Sequence, residues 1–254
     1  MIKFLDFNAG LGVFSRPTCY TRASQLISLM DEFHVEKALV YQSLSREVGP
    51  VEGNDLLWQQ IGRNKRLLAS WVLLPGQSGE YRNFESYVRE GIEKGVRAFR
   101  VFPSIFKIPL SEYVESGTFI LLEKFSLPLV VTEGNSVDAG DWTSLRLLLK
   151  RHQKLPVVFS EFRTRYHIRL VRQFLLEFDN FYFDLGSCWN YAAVEELVAV
   201  TGGERLVTGS NLPFSDPGQS FGMVLAARVS QSIRKKIAWK NAARLLKVEK
   251  SGPA

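Results

Sequence analysis

The residues with chemistry to offer stand at the ends of short apolar runs. Asp6 and Asn8 close the first run and Tyr41 and Gln42 the second. Trp71 lies in the third, and Arg100 and Phe102 close the fourth. Thr132 and Glu133 follow the fifth, Glu161 and Arg163 the sixth, Asp184 and Ser187 the seventh, and Ser210 and Asn211 the eighth. Two carboxylates facing one cavity have their pKa values split by burial and mutual repulsion, which makes Glu161 and Glu133 the candidate acid and base. Arg100 and Arg163 are candidate clamps for an anionic molecule, because a guanidinium meets a carboxylate with two parallel N–H groups. Asn8, Ser210 and Asn211 offer hydrogen bonds to a substrate, and Tyr41, Gln42 and Trp71 are binding contacts by position alone. The opposing reading is that the glutamates pair with the arginines and do no chemistry. Histidine is missing from these positions: His34, His152 and His167 fall at helix ends, where surface or capping roles are expected.

These residues share a position because the chain repeats one unit, an apolar strand, a polar loop and a helix. The clearest copy is the last. Arg205 to Thr208 read as a strand that breaks at Gly209-Ser210 into a loop with Pro213, Pro217 and Gly218, which a strand cannot absorb. An apolar-periodic segment follows from Gln219. Going back, strands are predicted at 2–7, 37–42, 67–74, 96–102, 127–132, 155–160 and 181–185. Helices are predicted at 21–33, 54–61, 84–94, 118–125, 142–152, 168–178 and 191–200, with a terminal helix at about 232–248. Residues 104–117 form a longer excursion, a candidate lid. Eight alternating strand–helix units predict parallel strands joined by helical crossovers, and the fold class is α/β, a single (β/α)8 barrel of TIM type spanning residues 1–254. In that architecture ligands bind at the carboxyl ends of the strands. Gly10 and Gly12 lead into Val13-Phe-Ser-Arg-Pro17 rather than a helix start, which argues against a dinucleotide site.

Of the 254 residues, 46% are hydrophobic and 23% charged, ordinary for a globular protein with one large core. The formal charge of +6 is spread along the chain. The densest basic stretch, Arg234-Lys235-Lys236 with Lys240, Arg244, Lys247 and Lys250, is interleaved with apolar residues at helical spacing. It reads as a helix with a solvated face, not a nucleic-acid patch. Cys19 and Cys188 have no metal or redox spacing, so reduced thiols are expected. Asp6 comes too early for a signal-peptide core, and no apolar run approaches the ~20 residues of a membrane span. The expectation is a cytoplasmic protein without nucleic-acid or membrane partners, compatible with a homo-oligomer.

The chain resembles the amidohydrolase superfamily, in particular the amidohydrolase-related (amidohydrolase 2) branch of TIM-barrel metal-dependent hydrolases and decarboxylases. The best-matched stretches are Leu5-Asp-Phe-Asn-Ala-Gly10, 29–40, 95–103, Glu204-Arg-Leu-Val-Thr-Gly-Ser-Asn-Leu-Pro213 and Asn241-Ala-Ala-Arg-Leu-Leu246. The resemblance implies a first strand ending in Asp-x-His-x-His, whose histidines hold a divalent metal. Here those positions are Asn8 and Gly10. Histidines implied after the fifth and sixth strands are replaced by Thr132 or Glu133 and by Ser160 or Glu161. The implied metal-binding aspartate after the eighth strand, which takes a proton from water, is Asn211. A neutral amide is a poor zinc ligand and no general base near neutral pH. The metal site thus reads as degenerate. No cofactor is expected, although a weak divalent ion on oxygen ligands is compatible with the carboxylates.

Three readings of function follow. The first is an amidohydrolase-like hydrolase or lyase acting on a small anionic molecule without the usual histidine-held metal. The second is a catalytically inactive barrel serving as a small-molecule or protein binding module, its mouth lined by Tyr41, Trp71, Phe102, Phe106, Tyr166 and Trp189. The third makes Cys188 or Cys19 a nucleophile, although no histidine stands ready to activate a thiol.

Overall fold

The computed structural model describes residues 2–62, 64–132, 139–161 and 167–248, with residues 139–141 described by backbone alone. The strands are β1 (Phe4–Leu11), β2 (Val35–Gln42), β3 (Leu67–Val72), β4 (Ala98–Val101), β5 (Leu129–Thr132), β6 (Val157–Ser160), β7 (Phe181–Asp184) and β8 (Leu206–Val207). All pair in parallel, in sequence order from β1 to β8. The edge strands then meet. Phe7 N donates to Thr208 O (3.0 Å), Asn211 N to Asn8 O (2.9 Å) and Gly10 N to Leu212 O (2.7 Å). The sheet therefore curls into a nearly closed barrel with its helices between the strands, the predicted (β/α)8 architecture.

The helices are α1 (Ala23–Glu32), α2 (Ser43–Glu47), α3 (Pro50–Ile61), α4 (Phe84–Glu93), α5 (Pro103–Phe106), α6 (Leu110–Glu115), α7 (Ile120–Phe125), α8 (Ala139–Arg151), α9 (Ile168–Glu177), α10 (Ala193–Thr201), α11 (Pro217–Ala226), α12 (Gln231–Lys235) and α13 (Asn241–Leu245). Most start where the chemistry favours it. Asn83 caps α4 through Ser86 N, Asp216 accepts from Gly218 N ahead of Pro217 in α11, and Ser230 caps α12 through Ile233 N.

The barrel interior explains where the polar residues surface. Leu39, Ala98, Val130 and Val158 share one apolar interior cluster with Leu5, Phe7 and Val207. Two residues further along the same strands stand Tyr41, Arg100, Thr132 and Ser160. Side chains alternate faces along a strand, so these lie one layer above the apolar plug, at the carboxyl-end mouth. At the opposite end, Ala242, Leu245 and Leu246 pack on the same plug. Asn241 Nδ2 donates to Gly203 O (2.6 Å) and Leu206 O (2.7 Å), tying α13 to the start of β8.

Several elements differ from the sequence reading. β1 runs on to Leu11, so Asn8 and Gly10 lie within a strand and not after it. Its pairing with β2 shifts register between Asp6 and Ala9, a bulge that re-aims the side chains there. The expected terminal helix is interrupted by a π-type turn at Lys236–Lys240. The 104–117 excursion contains most of α5 and all of α6, and Leu110, Tyr113 and Val114 anchor it in the core. The short α2, directly after β2, was not anticipated.

Candidate functional site

Arg100 is the largest charged side chain sealed in the barrel, and its neighbours define the mouth. β4 positions it, and the register pairs it with Val72 on β3 and Val130 on β5. Its Nη1 donates to Asn8 Oδ1 (2.9 Å) and Thr132 Oγ1 (3.0 Å). Its Nε and Nη2 have no partner among the described residues. The guanidinium carbon sits 4.8 Å from the Tyr41 ring centre and 5.8 Å from that of Phe102. Burial pulls its pKa below the usual arginine value, and the nearby Tyr41, Glu161 and Asp184 act in the opposite direction.

Asn8 links this cation to an anion. Its Oδ1 faces Arg100, and its Nδ2 donates to Glu161 Oε1 (3.1 Å) and lies 3.5 Å from Asn211 Oδ1. A cation on one side and a carboxylate on the other fix the orientation of the amide. Glu161 is buried, and its backbone adopts φ +57°, a left-handed conformation uncommon for a glutamate. Its Oε2 stands 3.9 Å from Arg46 Nη2. Arg46, on α2, lies over the rings of Phe214 (4.6 Å), Phe102 (5.4 Å) and Phe14 (6.0 Å). Two guanidinium groups and one carboxylate are thus set in an aromatic wall. The buried Tyr41 hydroxyl has no partner among the described residues, and burial raises its pKa.

A second polar layer lies beneath. Asp6 Oδ1 accepts from Ser210 N (2.8 Å) and Asn8 N (3.0 Å), and Oδ2 accepts from the Ser210 hydroxyl (2.5 Å). Asp184 accepts from Gly209 N (2.7 Å), Gly186 N (2.9 Å) and the Ser160 hydroxyl (2.6 Å). Burial pushes Asp6 up to about 7 and raises Asp184 as well. These carboxylates hold the strand ends that carry Asn8 and Asn211.

Of the residues singled out from sequence, Asn8, Tyr41, Arg100, Glu161 and Asn211 converge. Ser210 lies below them, its hydroxyl committed to Asp6. Gln42 accepts from Leu44 N and so caps α2. Trp71 faces the other way: it stacks on Tyr87 of α4 at 5.0 Å, and a Cβ at Gly91 would meet its ring at 2.8 Å. Strand parity is the cause, since Trp71 pairs with outward Phe99, and Val72 with inward Arg100. Phe102 belongs to the mouth's aromatic cluster, with Phe106 partly buried against it, whereas Trp189 is largely exposed. Glu133, Arg163 and Tyr166 lie outside the described residues. Arg46, Phe14 and Phe214 were missed. The usable signal was an arginine four residues past the end of β2, in a short helix that periodicity cannot register.

The histidines stand elsewhere. His34 O accepts from Phe4 N and His152 O from Leu155 N, which puts both at the amino ends of strands. His152 Nδ1 also pairs with Glu123 (3.1 Å). His167 opens α9 and stacks on Trp142 at 6.3 Å. Among the described residues no three His, Cys, Asp or Glu are grouped to hold a metal ion. Neither cysteine is in a disulfide; Cys188 is buried and Cys19 exposed.

Gly10 marks how full the mouth is. A Cβ there would lie 2.6 Å from Phe14 Cζ and 3.2 Å from the Tyr41 ring and hydroxyl. Gly10→Ala is therefore expected to cost about 1–3 kcal/mol by overpacking, read as a lower urea midpoint. An unchanged midpoint would mean that the Phe14 ring yields freely.

Comparison with known proteins agrees with this architecture. A sequence model of the amidohydrolase family matches residues 44–248. No curated protein matches. Among solved structures, the chain is similar to 2,6-dihydroxybenzoate decarboxylase from Rhizobium, with TM-score 0.75, 16% identity, and 97% of this chain and 99% of that one covered. It is similar to dihydroxybenzoic acid decarboxylase from Polaromonas sp. JS666, solved with bound manganese and the inhibitor 2-nitroresorcinol, with TM-score 0.72, 14% identity and 97% of each chain covered. It is also similar to 5-carboxyvanillate decarboxylase from Sphingomonas paucimobilis, with TM-score 0.74, 11% identity, and 98% and 100% coverage. At such identities these likenesses speak for the fold alone. Among the described residues no helix is long and apolar enough to cross a membrane. With the family model covering most of the chain and the barrel matching along its length, the protein belongs to the amidohydrolase family.

Proposed function

We propose that the barrel mouth takes a small organic anion, most favourably a flat aromatic acid, and acts on it as a hydrolase or lyase. The observation that carries this reading is Arg100, a buried guanidinium with two N–H directions unfilled among the described residues. An unmet donor in a dry site costs free energy until something accepts from it, and a carboxylate does so with charge assistance. The Tyr41 hydroxyl adds a further donor unmet among the described residues. Phe14, Phe102 and Phe214 supply apolar walls suited to a ring. Glu161 is the carboxylate that reaches this layer among the described residues, so proton transfer falls to it. The aromatic acids named for the similar decarboxylases have the same character.

The test is thermal unfolding with sodium benzoate and 2,6-dihydroxybenzoate, followed by chromatography of the acid after long incubation. Saturable stabilisation is expected, about 2.7 kcal/mol at 100 times Kd. No shift with either acid would sink the reading. A second reading, binding without turnover, is favoured by Asn211, an amide at the strand end where a proton acceptor is expected. Stabilisation with no loss of acid would select it.

A further inference from the structure

We propose that the Arg100 guanidinium stands in for the divalent ion of amidohydrolase barrels, so that the mouth carries its positive charge on a side chain. This rests on the reading that the mouth is the ligand site. Ligand positions implied by the family resemblance fall here on Asn8, Gly10, Thr132 or Glu133, Ser160 or Glu161, and Asn211, with Glu133 outside the described residues. Arg100 Nη1 already donates to the side-chain oxygens of two of them, Asn8 and Thr132. The lone pairs that would face an ion face an N–H instead, and a divalent ion in the same layer would be repelled by that charge.

Among the described residues the remaining donors do not fit a metal either. Gly10 has no side chain, and the space a ligand would need there is filled by Phe14 and Tyr41. Asn8 turns its nitrogen, not its oxygen, toward Glu161 and Asn211. Asn211 brings a neutral amide. Glu161 has Arg46 as a neighbouring cation. Each change taken alone would weaken a metal site, and together they leave a site arranged around a guanidinium.

The substitution has a chemical consequence. A guanidinium can bind and orient a carboxylate in two-point fashion, as an ion would hold it by charge. It cannot ligate water and lower its pKa, which is the service a bound metal provides for hydrolysis. The site therefore selects anions that need holding and a proton transfer, rather than substrates that need attack by hydroxide.

The experiment uses the full chain. Manganese chloride is titrated into metal-stripped protein by calorimetry, and benzoate stabilisation is read by thermal unfolding with and without EDTA. The same benzoate measurement is made on Arg100→Gln and Arg100→Lys. Expected are no saturable manganese binding, a benzoate shift unchanged by EDTA, loss of that shift in Arg100→Gln and partial recovery in Arg100→Lys. Saturable one-to-one manganese binding, or a benzoate shift abolished by EDTA, overturns the proposal. Both of these arms use the unsubstituted protein, so a misfolded variant does not decide the matter. If benzoate produces no shift under any condition, the anion reading fails on its own. The manganese arm then still decides the substitution, which stands if the metal is refused and falls if it is taken.

Discussion

Asp6→Ala is expected to lose about 3–5 kcal/mol of unfolding free energy in urea denaturation, the scale of a broken buried polar network. Asp6 is the tie across the seam where the barrel closes. It takes hydrogen bonds from Asn8 N and Ser210 N and from the Ser210 hydroxyl, joining β1 to the segment after β8. The β8 strand itself is only Leu206–Val207, so beside Asp6 the seam rests on the backbone hydrogen bonds of Phe7, Gly10 and Asn211. Alanine strands two buried amide donors, each costing roughly 1–3 kcal/mol, and leaves the Ser210 hydroxyl only its longer bond to Asn8 O (3.3 Å), partly offset by relief of a desolvated carboxyl. A variant as stable as the wild type would mean that the seam closes without it.

The same residue predicts an uncommon pH dependence. Burial raises Asp6 from 3.8 to about 7 in the folded state. Between those values the folded protein holds a proton that the unfolded chain releases. Its contribution to stability is complete below about pH 4 and is lost as pH rises through about 7. Asp184 is raised by burial too, and contributes with the same sign. Comparison with Asp6→Asn, which cannot titrate, isolates the first effect. The wild type should lose stability relative to this variant as the pH rises across that window, at a slope of no more than about 1.4 kcal/mol per pH unit. A flat difference would show that the three hydrogen bonds offset the desolvation.

Glu161→Gln carries the largest expected effect on activity. If Glu161 transfers the proton, turnover of an aromatic acid should fall by about 10²–10⁴, the usual worth of a positioned acid or base. Benzoate affinity should change little, because Arg100 holds the anion and the amide keeps an acceptor for Asn8 Nδ2. Chromatographic rates and thermal shifts on the same preparations separate the two quantities. Turnover equal to wild type would move the proton transfer to another group.

Much of the fold was legible along the chain. Each strand was an apolar run stopped by Pro, Gly or a polar residue, and each major helix showed its apolar stripe, so eight units and their order could be read. The boundaries shifted mainly where tertiary pairing overrode local signals. β1 continued through Asn8 and Gly10 because Asn8 O accepts from Asn211 N and Gly10 N donates to Leu212 O across the seam, and β8 is short because Gly209 N turns to the Asp184 carboxylate. The short α2 carries Arg46 into the mouth and left no periodic trace.

By itself the sequence determined the order of the eight strand–helix units and that its three histidines fall at helix ends, since both follow from composition and local periodicity. It also contained the amide at Asn211 and the bare position at Gly10. Only the tertiary structure decided which of these residues meet. Strand parity turned Trp71 outward and Arg100 inward, and the bulge in β1 aimed Asn8 between a guanidinium and a carboxylate. Partners here are separated by up to 204 positions in the chain, as between Asp6 and Ser210. Register and barrel closure bring such residues together, and these are properties of the whole sheet that no local stretch of sequence encodes.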